Sequence, residues 1–379
     1  MSLESSAVAR TYFPHVNLLR AFAALSVLVY HVIEHYSWET FPIGYGLVWF
    51  KVGWMSVDLF FVISGFVIAW SLIQLHTRHT QFKPLAREFL WRRAGRIVPL
   101  YLVTLLVYAI AVQPTLFNSY VWVHWLTHFT FTHPFLPHTF GSINGINWSV
   151  GIEVHFYLFA LITSPWWVRR KAVSLFLAGV VAAWSLRGIA WVVAEKFGLS
   201  GSQLFGVMVQ MPMMLDEFAA GAALALLLHH YPLEKWPGTM RQQGLVLLAV
   251  LVAVMIVAFQ TYWMDAGYWH NPTMVIFWRS LIALAFTLLL AFFIWLPPLP
   301  KPNLLYRAFS YLGDISYGIY LWHLTVILLL KPYLEANLAL SLWVIIPCVL
   351  VLSAMSWHLL EKPMIKWSKA RSLTSRNVS

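Results

Sequence analysis

The chain has 379 residues, of which 60% are hydrophobic and 10% charged, with a formal net charge of +11. Soluble domains carry about 25% charged residues, so this composition excludes an ordinary soluble enzyme and points to a lipid bilayer. The single cysteine, Cys348, excludes a disulfide framework and a cysteine-based metal site.

Apolar stretches of about 20 residues, each able to cross roughly 30 Å of hydrocarbon as a helix, recur along the whole sequence. They predict an all-α polytopic membrane protein with ten spans, near residues 17–36, 53–75, 97–113, 147–167, 172–194, 211–228, 243–262, 274–296, 311–330 and 339–358. A single membrane domain over 1–379 is expected, without a separate soluble domain. The first segment exceeds a signal-peptide core and runs into the bulky "IEHYSWETF", so it is expected to stay as a span.

With both termini cytoplasmic, 19 of the 25 Lys and Arg residues fall on the inner side. Opposite loops hold only Lys51, Lys196 and Lys331, while Arg20, Arg187 and Arg279 lie within spans. This sorting follows the positive-inside rule and accounts for the basic balance without a nucleic-acid partner.

A charge inside a span costs roughly 2.5 to 3.5 kcal/mol on insertion scales, so each one needs a partner, a polar cavity or a function. In the first span, "NLLRAFAALSVLVYH" sets Arg20 and His31 eleven residues apart. That is close to three turns, so the two share a helix face about 16 Å apart, the arginine near the cytoplasmic surface and the histidine at mid-depth. His35, one turn further out, reads as a residue of the interfacial aromatic belt. The second span carries Asp58 about two turns in, then Ser64 and Gly65, small residues that permit close helix approach.

Before the third span, "REFLWRRAGRIVPLY" concentrates Arg87, Arg92, Arg93 and Arg96 on the cytoplasmic side. Arg87 and Arg92 suit lipid headgroups, whereas a forked pair beside Arg20 also suits a phosphate-bearing ligand such as a nucleotide cofactor. The outer segment 114–146 is aromatic and histidine-rich and is expected to lie along the interface. Its His124 and His128 have the i, i+4 spacing of metal ligands, but no carboxylate or cysteine stands nearby, so no metal is expected.

Further along, Glu153 and His155 fall in the outer half of the fourth span, Asp216 and Glu217 in that of the sixth, and Arg187 and Arg279 at similar depth. Structural ion pairs would satisfy the arginines. The surplus of carboxylates and histidines fits a polar cavity open to the outer side. In the ninth span, Ser316, Tyr320 and His323 recur at i, i+4 and i+7, a polar stripe equally suited to interhelical hydrogen bonds or to a site.

Taken together, these segments resemble the acyltransferase family 3 integral-membrane O-acyltransferases, which modify bacterial surface polysaccharides, peptidoglycan, nodulation factors and some macrolides. The resemblance rests on Arg20 with His31, the "DLFFVISGF" of Asp58 to Phe66, Arg92 to Tyr101, Trp148 to Tyr157, Ser316 to His323, and Glu361 with Pro363, six motifs in family order. The chain departs from many relatives in the fourth span, where Val154 follows Glu153 and His155 stands in place of a frequent Gln. Any mechanism needing a carboxylate pair there is put in doubt.

The resemblance implies transfer of an acyl group, most often acetyl, from cytoplasmic acyl-CoA to a hydroxyl of a carbohydrate or glycolipid-linked acceptor outside a bacterial inner membrane. Combined with the charge layout, it assigns His31, Asp58, Glu153 and His323 to catalysis, with His31 as base or transient acyl carrier. Arg20, Arg93 and Arg96 would hold the acetyl-CoA donor, and Ser64, Trp148, Tyr320, Arg187 and Asp216 the acceptor. The competing expectation is a transporter or flippase using intramembrane charge as a substrate or proton pathway.

Overall fold

The computed structural model describes residues 13–42, 44–118, 121–264, 267–335 and 337–374. Two of the charges expected on the inner side, Arg10 and Arg376, lie outside the described residues. Within them the chain is helical, with no β-strand. The helices are α1 (Val16–His35), α2 (Ser56–Arg78), α3 (Phe82–Ala111), α4 (Trp122–Phe129) and α5 (Asn147–Trp167). They continue with α6 (Ala172–Phe197), α7 (Gly201–Met208), α8 (Leu215–His230), α9 (Met240–Met264) and α10 (Arg279–Trp295). The last four are α11 (Leu304–Asp314), α12 (Ser316–Leu334), α13 (Leu338–Ser356) and α14 (Lys362–Thr374).

All ten expected spans are helical, but their apolar character is uneven. Among the described residues, eight helical stretches are long and apolar enough to cross a membrane, or nine if α11 and α12 together make one bent span. α5, the fourth expected span, has the length, 21 residues, but is not one of them. Its Asn147, Ser149, Glu153, His155 and Ser164 replace apolar side chains, and most of these face other helices or a cavity rather than lipid.

Two boundaries differ from expectation for physical reasons. The third helix begins at Phe82 rather than 97, because its arginine-rich first half is helical too and packs along α14. The ninth span is broken by 69° between α11 and α12. At the break, a Cβ on Gly313 would lie 2.1 Å from the Asn17 carbonyl oxygen, and Asn17 Nδ2 donates to Asp314 Oδ1 at 2.7 Å. Backbone contact with α1 thus fixes the bend, and α12 starts at Ser316, directly against Arg20.

α2 and α8 make the closest helix pairing at the centre of the bundle. A Cβ on Gly65 would fall 2.2 Å from the Phe218 carbonyl oxygen, and one on Gly221 2.0 Å from that of Val62. With no hydrophobic force between helices in lipid, such direct backbone approach supplies the packing. A π-helical turn, Met274–Trp278, precedes α10, and the extra residue sets where Arg279 enters the bundle.

Candidate active site

Two cavities enter the bundle. The one on the expected cytoplasmic side, the inner cavity, is lined by Arg20, Arg93, Arg96, Glu153, Tyr157 and Ser316 among others. Arg20 reaches from α1 to donate to Ser316 Oγ at 3.0 Å. Arg93 lies over the rings of Phe89 and Tyr157, at 5.6 and 5.9 Å. Neither Arg93 nor Arg96 has a carboxylate within ion-pair distance among the described residues, whereas the neighbouring Arg92 is tied to Glu88, which His79 also meets.

Glu153 is the acid of this cavity. Its Oε1 accepts two hydrogen bonds of 2.6 Å, from Ser64 Oγ and from the Tyr157 hydroxyl. Three guanidinium groups against one carboxylate leave the inner cavity positive, a setting for a polyanion whose phosphates take forked donors. Glu153 is expected in the outer half of its span, beside a cavity open to the outer side. The inner cavity reaches past Ser149 and Val150 to the first turns of α5, so Glu153 faces inward instead.

The cavity on the expected outer side, the outer cavity, is larger, and its walls include His31, Glu34, His35, Asp58, Trp148 and Arg279. Val57 and Tyr320 are the two residues that line both cavities. Tyr320 is anchored there: its hydroxyl lies 2.6 Å from Ser149 Oγ and 3.2 Å from the Ile146 carbonyl oxygen. Arg20 and His31 thus share a helix face but open into different compartments, divided by Val57 and Tyr320.

The His31 ring is oriented by two contacts. Its Nδ1 lies 2.9 Å from the Val27 carbonyl oxygen and 3.3 Å from His323 Nε2. A carbonyl only accepts, so Nδ1 carries the proton of a neutral ring and Nε2 is left with its lone pair. Nε2 has no hydrogen-bond partner among the described residues, and His31 lines the outer cavity, so a basic nitrogen is presented to whatever enters. His323, fully buried, turns its own Nδ1 to the Ile319 carbonyl oxygen at 3.3 Å, which leaves its Nε2 as the acceptor facing His31.

Neither Asp58 nor Glu153 hydrogen-bonds His31. Asp58 is held by Arg279, Oδ1 to Nη1 2.5 Å, and Arg279 also stands 3.6 Å from Glu217. Arg187 and Asp216 line neither cavity. They form a two-pronged buried pair, with bonds of 2.9 and 2.7 Å, and Ser280 donates to the same carboxylate at 2.5 Å. In place of the acceptor contact expected of them, they tie α6, α8 and α10 together. Ser64 is a partner of Glu153 in the inner cavity, while Trp148 stands in the outer one.

Three site residues were not singled out for these roles in the sequence: Tyr157, Ser149 and Glu34. Tyr157 sits at i+4 from Glu153 and Glu34 at i+3 from His31, spacings that put each pair on one helix face. The partner of Ser149 is 171 residues away and left no local signal, whereas Arg279 takes Asp58 and Glu217, two of the carboxylates expected for it.

In the outer segment, no group of three or more His, Cys, Asp or Glu residues able to hold a metal occurs among the described residues. His128 stacks on His133 instead, ring centroids 4.0 Å apart and nearly parallel. Burial, reinforced by His133, pushes the His128 imidazole down to about 3, and burial pushes His133 down to about 4.

Comparison with known proteins places the chain in a family. A family profile described as an acyltransferase domain matches residues 13–358. The peptidoglycan O-acetyltransferase OatA of Listeria monocytogenes is 22% identical over 379 residues, covering 94% of this chain and 56% of that protein. Nodulation protein 10 of Rhizobium leguminosarum bv. viciae is 27% identical over 401 residues, covering 96% of this chain and 95% of that protein. Acyltransferase MdmB of Streptomyces mycarofaciens is 29% identical over 260 residues, 63% of this chain and 62% of that protein. The chain therefore spans little more than half the length of the peptidoglycan relative. No solved structure matches it.

Proposed function

The chain belongs to the acyltransferase domain family, and from that premise we propose that it moves an acyl group, acetyl in the first instance, from acyl-CoA on the cytoplasmic side to a carbohydrate hydroxyl on the outer side of a bacterial inner membrane, with both termini cytoplasmic. One observation carries the proposal: a positive inner cavity and an outer cavity holding a basic imidazole meet at Val57 and Tyr320.

In this mechanism the phosphates of the donor lie against Arg20, Arg93 and Arg96, and the neutral pantetheine arm extends toward Tyr320. The thioester carbonyl arrives beside His31. His31 Nε2 takes the proton of the acceptor hydroxyl as its oxygen attacks the carbonyl carbon. The C–S bond breaks, the sugar ester leaves outward, and the proton passes to the thiolate of CoA. His323 holds His31 in the tautomer this requires, as an oriented base needs.

The test is transfer itself. Protein in nanodiscs, given acetyl-CoA labelled in the acetyl group and a soluble oligosaccharide, is expected to label the sugar, and His31→Ala to abolish labelling while the protein still elutes as one folded species. Saccharide flux across sealed proteoliposomes of the same protein, without loss of the thioester, would establish the transporter reading instead.

A further inference from the structure

We propose that Glu34 makes the outer cavity selective by charge, favouring neutral or amino-bearing sugars and turning away sugars that carry a carboxylate or phosphate. The inference rests on the acyl-transfer reading and names the acceptor class of that same site.

The argument is an account of the charge on the cavity wall. Asp58 is neutralised by Arg279 at 2.5 Å, and Arg279 shares its charge with Glu217 at 3.6 Å. Glu217 is fully buried, and the Asp58 carboxyl group stands beside it as well. Arg279 is thus already outnumbered by carboxyl groups and has no positive charge to offer an anionic ligand. His31 is neutral when it serves as a base, and His35 stacks beside it, ring centroids 6.1 Å apart.

Glu34 is the remaining charge on the wall. It is exposed, and no Lys, Arg or His lies within ion-pair distance of it among the described residues. One helical turn separates it from His31, so a bound sugar that presents a hydroxyl to Nε2 lies within a few ångströms of the Glu34 carboxylate.

The rest of the wall is neutral and flat. Trp54, Trp148, Tyr262 and Trp269 line the same cavity and give aromatic faces on which the apolar side of a pyranose packs without reading its charge. Affinity from the rings and sign from Glu34 together define the acceptor: the inner cavity is built for a polyanion, and the outer one against it.

Three oligosaccharides of matched length test this: an N-acetylated chito-oligosaccharide (neutral), its de-N-acetylated form (cationic) and an oligogalacturonate (anionic). With labelled acetyl-CoA, the anionic acceptor should show kcat/KM at least about tenfold below the neutral one, the scale of a like-charge contact at partly screened distance. Glu34→Gln should narrow that gap about tenfold, and Glu34→Lys should place the anionic acceptor above the cationic one. Quenching of cavity tryptophan fluorescence by the same three sugars reads the selection without turnover. Equal use and equal binding of neutral and anionic acceptors, or ratios unmoved in both variants while acetyl-CoA is still consumed, would overturn the charge selection alone. Binding that discriminates by charge with no acetyl-CoA consumed by any pairing would leave Glu34 selecting its ligand and overturn the acyl-transfer reading.

Discussion

His323 Nε2 stands 3.3 Å from His31 Nδ1, two imidazoles 292 residues apart whose remaining contacts leave one pointing a lone pair inward and the other outward. The pair explains how a base is held in one tautomer without a carboxylate behind it. Removing His323 should therefore lower kcat by about ten- to a hundredfold with little change in the KM for either substrate, since it acts through His31. His323→Gln keeps an acceptor at that place and should recover part of the loss; steady-state kinetics of the Ala and Gln variants, side by side, measure it.

The inner arginines should show the opposite signature. Arg93→Ala and Arg96→Ala each remove a charged donor from a cavity in which neither has a carboxylate partner. A hydrogen bond to a charged group is worth about 1.5 to 3 kcal/mol, so the KM for acyl-CoA should rise roughly ten- to a hundredfold while kcat changes less. Titration with CoA, its 3′-dephospho form and pantetheine would show the discrimination between them shrinking in the same variants.

Tyr320 and Val57 divide the cavities, so widening the partition should let water and larger groups through. Tyr320→Ala removes the ring and its bonds to Ser149 and Ile146. The ratio of acetyl-CoA hydrolysis to sugar transfer should rise severalfold. Val57→Ala should raise the relative use of butyryl- over acetyl-CoA. Both are read by competition assays at fixed total donor.

Arg187 and Asp216 predict a stability effect separate from chemistry. Losing one partner of a fully buried pair costs about 3 to 5 kcal/mol because the other charge is left unmatched. Arg187→Met and Asp216→Leu should each reduce yield and lower the melting temperature in detergent. The double variant should regain much of the loss and still transfer acyl groups, which the single variants allow to be compared at matched protein amounts.

The stacked His128 and His133 make the outer segment sensitive to acid. Their folded values, about 3 and about 4, lie below the ordinary 6.5, so folding holds them neutral. Their contribution is complete above pH 6.5 and declines as pH falls from 6.5 toward 4, by about 1.4 kcal/mol per histidine per pH unit. His124 and His155 lie against this stack. Thermal unfolding followed between pH 7.5 and 5 should show a steep loss of stability that His128→Phe makes shallower.

Much of this was legible in the sequence because helical periodicity is a strong signal and lipid penalises every stray charge. The shared face of Arg20 and His31 follows from spacing alone. What stayed hidden depends on contacts between distant helices. The bend at Ile315 is made by the backbone of Asn17, and the side to which Glu153 turns depends on how far the inner cavity climbs along α5. Arg187 and Asp216 illustrate the converse: the sequence reveals that charge is buried there, and only packing decides that it is used for cohesion.

The partition made by Val57 and Tyr320 has an electrical consequence. Where two polar compartments approach from opposite faces, the membrane voltage falls across the thin layer between them and not across the full width of the bilayer. In the proposed reaction the acyl group passes that layer outward and the proton of the acceptor hydroxyl passes it inward to the CoA thiolate, an exchange that moves no net charge, while the charged nucleotide stays on one side. The membrane potential then does no work on the transferred group, so surface modification by this route would run at the same thermodynamic cost in an energised cell and in a depolarised one.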